Sequence, residues 1–148
     1  MAPNATVGPL DQSVGYVLKQ AQAALRSTMD VALRPHGLTV PQYACLELLS
    51  QRPGLSNAEL ARGVFVTRQA MNGVLRGLEE LGLVKRPEIA KRGRELPATL
   101  TRAGESRWRA ASAAVATVEQ QMTAALSTQD RSRLLRDLAK CANALANG

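Results

Sequence analysis

The chain has 148 residues, 45% hydrophobic and 21% charged, with a formal charge of +7, which is one domain's length and enough to bury roughly two thirds of the unfolded surface; residues 1–148 are read as a single domain. One histidine and two cysteines far apart in sequence do not indicate a metal-ligand set, a disulfide framework or a Ser-His or Cys-His dyad. No H-E-x-x-H, phosphate-cradling glycine loop or spaced carboxylate pair occurs either, so the sequence predicts no enzyme, no catalytic residue, no metal and no cofactor.

Residues 1–10 lack a positive n-region and a long apolar run, and Ser112, Thr117 and Glu119 interrupt the later alanine-rich stretch, so neither a signal peptide nor a membrane span is expected. A cytoplasmic, nucleoid-associated location follows as the expectation. Val14, Val17, Leu18, Ala21, Leu25, Thr28, Met29 and Ala32 recur with a helical period that Pro35-His36-Gly37 terminates. This predicts a long amphipathic helix within 10–36.

Ser56-Asn57-Ala58-Glu59 fits a capping box, in which the Ser hydroxyl accepts from the N3 amide and the Glu reaches back to the cap amide. The helix it opens carries Leu60 and Ala61 inward and is expected to stop near Gly63, because Gly63-Val64-Phe65-Val66 sets a helix-ending glycine before β-branched and aromatic residues. Thr67 offers a second N-cap, and Met71, Val74, Leu75, Leu78 and Leu81 form one apolar stripe. Arg68, Gln69, Asn72 and Arg76 occupy the opposite face, with donors and amides of the type that bond to base edges and phosphates in a major groove. Taken alone, polar residues opposite an apolar stripe suit any surface helix.

The sequel is more informative. Leu81-Gly82-Leu83-Val84 ends the helix on a glycine and enters a strand, and residues 96–100 read as the return strand. Between them Lys85-Arg86-Pro87-Glu88-Ile89-Ala90-Lys91-Arg92-Gly93-Arg94 holds five basic residues against one acidic. Such a tip suits a phosphate backbone or a minor groove; the bland alternative is a solvated basic loop. Residues 39–104 contribute +4 of the +7, a local footprint. The predicted fold is mainly α: a winged helix-turn-helix over 39–101 with a small two-stranded wing, and the partner is double-stranded DNA.

Arg102 to Met122 reads as a second long helix, and Ser127 caps a last one carrying Leu134, Leu135, Leu138, Ala142 and Leu145. Segments 10–36 and 102–146 carry more apolar stripe than one small winged domain can cover. A twin subunit would bury the excess, with Ala110, Ala111, Ala113 and Ala114 allowing close approach; an intramolecular bundle is the other solution. A homodimer would present two reading helices about one DNA turn apart, so its operator would be a rough palindrome.

Leu38-Thr39-Val40-Pro41-Gln42-Tyr43, Pro53-Gly54-Leu55-Ser56, Glu59-Leu60-Ala61, Val66-Thr67, Leu78-Glu79, Gly82-Leu83-Val84, Arg94 and Leu100-Thr101-x-x-Gly104 together resemble the MarR family of bacterial transcription regulators, over about Val14 to Leu145. The resemblance implies an obligate homodimer, palindromic operators, and usually relief of repression when a small molecule or oxidant binds. It also matches Arg94 to the family's minor-groove arginine.

Two positions depart from the pattern. Arg92 stands where many members have an Asp that steers the wing arginine. Gly73 and Gly77 replace arginines of many relatives, at about 1 kcal/mol of helix propensity each relative to Ala. Either the backbone approaches DNA closely there or the contacts shift to Arg68, Asn72 and Arg76. The oxidant-sensing branch has its cysteine in the first helix, where this chain has none; Cys45 and Cys141 read as small hydrophobes.

The predicted DNA-binding residues are therefore Ser56, Asn57, Thr67, Arg68, Gln69, Asn72, Arg76, Lys91, Arg92 and Arg94. In the family, effectors commonly sit between the dimerisation helices and the winged domain. Tyr16, His36, Tyr43 and Trp108 are candidates to line a site for a small aromatic or phenolic molecule, although each residue type also serves as ordinary packing. The expected function is a dimeric, sequence-specific transcriptional regulator, a repressor released by a small-molecule effector. An architectural DNA binder with little sequence specificity is the alternative, and a protein-interaction module without DNA binding is a third reading.

Overall fold

A computed structural model describes residues 5–86 and 97–147. Six α-helices and one small sheet follow in the order α1 (Val14–Leu33), α2 (Val40–Gln51), α3 (Asn57–Val64), α4 (Arg68–Glu80), β1 (Val84–Lys85), β2 (Thr99–Leu100), α5 (Arg102–Met122) and α6 (Thr128–Ala146). The strands are antiparallel, with Val84 opposite Leu100 and Lys85 opposite Thr99. This is the mainly helical winged helix-turn-helix that the sequence predicts.

Every α-helix begins at a Ser or Thr whose side-chain oxygen accepts from the N3 amide: Ser13, Thr39, Ser56, Thr67, Thr101 and Ser127. Thr39 and Ser56 close full capping boxes with Gln42 and Glu59. Each cap satisfies an amide that the first helical turn leaves unpaired, worth about 1 kcal/mol. A short 3-10 turn at Arg34–His36 and left-handed Gly37 end α1, as the Pro35-His36-Gly37 signal indicates.

The core lies in the middle of the chain. Leu33, Cys45, Leu46, Leu60, Met71, Leu75, Leu78 and Leu83 are fully buried, and one cluster joins the end of α1 to α2, α3, α4 and β1. Burying a leucine of this kind contributes roughly 1.5–3 kcal/mol. From this head, α5 runs back along α1 and α2. The α6 helix is different, because all of its residues are exposed. Its Leu134 and Leu138 face Val14, Val17, Leu18 and Leu25 of α1 across an apolar trough of about 630 Å³.

The α3 helix ends at Val64, near Gly63 as expected, but through another residue's conformation. Gly63 does not stop α3; it lies inside the helix, where a Cβ would collide with Leu48 Cδ2 of α2. A side chain there would have to displace the Leu48 methyl, so the glycine favours close packing of α3 on α2. The left-handed residue is Phe65, at φ 64°, and its amide donates to the carbonyls of Ala61 and Arg62. At the other end of the motif the expectation holds: Leu81 closes α4 and left-handed Gly82 turns the chain into β1.

Candidate nucleic-acid interface

On α4, Met71, Leu75 and Leu78 are buried while Arg68, Gln69, Asn72 and Arg76 are exposed, so the helix presents one polar face to solvent. Among the described residues, no side-chain hydrogen bond engages Arg68, Gln69 or Arg76. Gly73 belongs to this face and has open space where a side chain would stand. Gly77 is turned toward the head instead, where a Cβ would lie 3.1 Å from Gln42 Nε2. The two glycines of the reading helix thus answer to different demands, one of them packing.

Three predicted residues are committed to the local architecture. Ser56 Oγ accepts from Glu59 N at 3.1 Å and Thr67 Oγ1 accepts from Ala70 N at 3.0 Å, each capping its helix. Asn57, the first residue of α3, donates through Nδ2 to Asn72 Oδ1 on α4. Asn57 Oδ1 is buried and has no partner among the described residues. The structure therefore brings Asn57 and Asn72 together across the helix-turn-helix. Lys91, Arg92 and Arg94 lie outside the described residues.

The root of the wing is tied down on both sides. Arg86 Nε donates to Glu79 Oε1 at 2.6 Å, so this cation of the basic run is paired with the end of α4. Glu79, at the end of α4, is thereby a half-buried partner of the wing. Thr101 Oγ1 donates to the Gly82 carbonyl at 2.6 Å and accepts from Gly104 N at 3.0 Å. A Cβ on Gly104 would run into the Leu83 carbonyl oxygen. Together these contacts account for the Leu-Thr-x-x-Gly spacing: the threonine joins wing to helix, and the glycine lets α5 lie against β1.

The four aromatic and histidine candidates do not gather in one pocket. Tyr43 and Trp108 converge on Glu47, which sequence reasoning overlooked. The Glu47 carboxylate accepts from Tyr43 Oη at 2.7 Å, Ser112 Oγ at 2.8 Å, Trp108 Nε1 at 2.9 Å and Gln51 Nε2 at 3.1 Å. Burial pushes its pKa up, but these donors outweigh that effect and hold it at about 2. Burial, with the neighbouring carboxylate, pushes the Tyr43 hydroxyl well above its ordinary value. The Tyr43, Glu47, Gln51 spacing of four was the one local signal; the α5 donors had none.

His36 meets α5 through its carbonyl, which accepts from Arg107 Nη1 at 3.0 Å. Tyr16 sits 40% exposed near the start of α1, about 25 Å along the helix from Leu33 at 1.5 Å per residue. Beside the Glu47 cluster a cleft of about 390 Å³ opens between α2, α5 and the wing root, lined by Leu49, Pro53, Leu100, Trp108 and Arg109 among others. The Arg109 guanidinium carbon lies 5.5 Å from the Trp108 ring centroid and bridges to Glu105 at 2.9 Å. Cys45 is buried, which pushes its thiol up to about 12, far from thiolate reactivity; Cys141 is exposed on α6. Among the described residues no helix is long and apolar enough to cross a membrane.

A family model described as MarR family matches residues 36–95. The HTH-type transcriptional repressor Rv2887 of Mycobacterium tuberculosis is 46% identical over 130 residues, 88% of this chain and 94% of the relative. Its crystal structure with p-aminosalicylic acid superposes with a TM-score of 0.73 at 45% identity, covering 87% of this chain and 98% of that one. Its complex with DNA gives 0.72 at 44% identity, over 86% and 96%. The transcriptional repressor CouR, bound to a 23-mer DNA duplex, gives 0.82 at 31% identity, over 94% and 99%. With that identity across nearly the whole length, and the same helix-turn-helix and wing, the chain belongs to the MarR family.

Proposed function

We propose that the chain is a dimeric, sequence-specific transcriptional repressor whose α4 enters the major groove of a palindromic operator, and that a small aromatic or phenolic effector releases it. The observation that carries this reading is the exposed Arg68, Gln69, Asn72 and Arg76 face of α4, opposite its buried stripe. Its donors and amides suit base edges and phosphates. The caps at Ser56 and Thr67 put two helix N-termini, with their partial positive charge, at the edges of that face. Lys91, Arg92 and Arg94 are assigned to phosphates and the flanking minor groove. The DNA complexes of Rv2887 and CouR support the same use of the fold.

The two-fold arrangement is supported by α6 and the first half of α1, whose leucines and valines are exposed in a single chain. For the effector, the cleft between Trp108 and the wing root is the better fit of the aromatic positions. It offers a flat indole and a guanidinium beside Leu100 of the wing, so that an aromatic acid held there would bear on both α5 and β2. The salicylic and p-aminosalicylic acid complexes of Rv2887 support an effector of that chemistry. The role is binding, not catalysis, and the place of action is the cytoplasm, at the nucleoid.

Genomic fragments retained by the protein, titrated by fluorescence anisotropy across salt, test the reading. A repressor keeps a specific-to-nonspecific ratio of roughly a thousandfold or more at physiological salt. An architectural binder shows a ratio near one, with affinity governed by salt alone. Added salicylate lowers operator affinity if the effector reading holds.

A further inference from the structure

The chain's one phenylalanine is 92% exposed and stands at φ 64°, where a helix end ordinarily has glycine. The turn that holds it is well defined. Val66 N donates to the Ala61 carbonyl at 3.0 Å and Phe65 N to the Arg62 carbonyl at 3.3 Å. Val64 and Val66 pack against the core on either side, so the ring is held out in solvent between two anchored residues. Packing does not account for an aromatic side chain there, and the strain of its conformation opposes it; such outliers cluster at functional positions.

The surroundings indicate what the ring meets. Thr67 lies two residues on, within about 7 Å by chain length, and caps α4, whose N-terminus carries partial positive charge. Arg62 and Arg68 flank the turn in sequence and are exposed; among the described residues no side-chain hydrogen bond or ion pair engages either one. The carboxylate of α3, Glu59, accepts from the Ser56 amide. Those of α4, Glu79 and Glu80, lie about 16–18 Å along the helix from Arg68. A bare apolar ring in a cationic surround does not suit a second copy of this chain, which would set the same cations against each other. It suits a polyanion that also offers an apolar group, and in the major groove that group is the C5-methyl of thymine.

We infer that Phe65 is a specificity-determining residue that reads thymine, its ring packing on the C5-methyl of a base beside those reached from the first turn of α4. The inference rests on the reading above that α4 lies in the major groove.

The test uses duplexes selected by the full-length protein, with each thymine of the motif replaced in turn, in both half-sites, by deoxyuridine. This removes the methyl group and leaves base pairing intact. At one symmetry-related position the wild type is expected to lose about fourfold in affinity per half-site, the effect of burying one methyl group, or about fifteenfold with both replaced. Phe65→Asn, which tolerates the left-handed turn, binds the thymine operator correspondingly more weakly and loses nothing further from deoxyuridine at that position. Its losses at the other thymines match those of the wild type. Circular dichroism and light scattering accompany each titration, and Phe65→Gly repeats the comparison should Phe65→Asn not fold. A wild type that selects no motif removes the repressor reading and this inference with it. A selected motif whose deoxyuridine losses are the same in the wild type and the folded variant overturns the inference alone. An equal loss of affinity on every sequence also overturns it, since the ring would then lie on the sugar-phosphate backbone. So does a changed mass of the assembly, which would make the ring a subunit contact.

Discussion

The Trp108 indole nitrogen donates to Glu47 Oε2 at 2.9 Å, so the chain's one tryptophan is tied from α5 to a carboxylate on α2. Tyr43 and Ser112 bond the other oxygen, one from each helix. The head that presents α4 and the long helix that leaves the wing are therefore joined through one anion. Replacing Glu47 with Ala leaves three half-buried or buried donors without their acceptor, and should destabilise the protein by about 2–3 kcal/mol. Urea unfolding followed by Trp108 fluorescence measures this directly. A loss below about 0.5 kcal/mol, the scale of an ordinary surface change, would show that the junction contributes nothing.

The same carboxylate gives stability a pH dependence. Burial raises the Glu47 pKa and the four donors lower it further than burial raises it, to about 2 from an ordinary 4.5. The unfolded chain thus binds this proton more readily than the native one. The stabilisation is complete above pH 4.5 and is lost as pH falls toward and through 2. Discounted for partial solvent screening, it amounts to about 2 kcal/mol. Denaturation curves at pH 6, 5, 4 and 3 should show the decline in the wild type and a shallower one in Glu47→Gln, which cannot titrate. Parallel pH profiles for the two proteins would remove Glu47 as the source.

Two glycines should respond in opposite directions to the same methyl group. Gly104→Ala forces a Cβ into the Leu83 carbonyl, a backbone atom that cannot swing aside, and separates α5 from β1. Overpacking of this kind destabilises by about 1–3 kcal/mol. Gly73→Ala meets nothing within 4 Å and gains helix propensity of about 1 kcal/mol, which raises Tm by about 2–4 °C for a chain of this size. Thermal melts followed at 222 nm compare them; a destabilised Gly73→Ala would contradict the open environment.

Phe65 occupies the left-handed turn between α3 and α4 at φ 64° while 92% exposed, so it carries backbone strain with little packing in return. A non-glycine residue in this region costs roughly 1–2 kcal/mol. Phe65→Asn, which tolerates the conformation and does not loosen the unfolded chain as glycine would, should stabilise by about 0.5–1 kcal/mol. Chemical denaturation at pH 7 reads the change; a loss of stability would mean that the exposed ring makes a contact in the assembled protein.

Much of this architecture was legible because its signals are local. The Ser56 capping box, the Thr67 cap, the Gly82 stop and the start of the last helix after Ser127 each lie within four residues of the backbone they direct. The end of α3 near Gly63 was legible too, but not the residue that makes it: Phe65 takes the left-handed turn, while Gly63 packs toward Leu48, fifteen residues away on another helix. The Glu47 junction was less accessible still, since its α5 donors lie 61 and 65 residues away and tryptophan, serine and glutamate carry no pairing code. For the same reason nothing in the sequence distinguished Tyr43 and Trp108, which share Glu47, from Tyr16 and His36, which do not.

The exposed stripe of α6 leads to the last prediction. Helix α6 has 19 residues, about 28 Å of length, and none is buried in one chain; Leu134, Leu135, Leu138 and Leu145 are all exposed. An isolated helix of this length is marginal in water unless an apolar face is covered. The trough of about 630 Å³ between α6 and α1 leaves an apolar slot for a second copy of these helices, and a two-fold arrangement would fill both slots at once. A double substitution, Leu134→Glu with Leu138→Glu, places two carboxylates in that slot. Light scattering on the size-exclusion peak should then give the mass of one chain where the wild type gives two, and helicity should fall by about the content of α6. The head keeps its own core of Leu46, Leu60, Met71, Leu75 and Leu78 and should remain folded. DNA affinity falls because one head spans one half-site. A double variant that keeps both mass and helicity would show that α6 is covered by something other than a second copy.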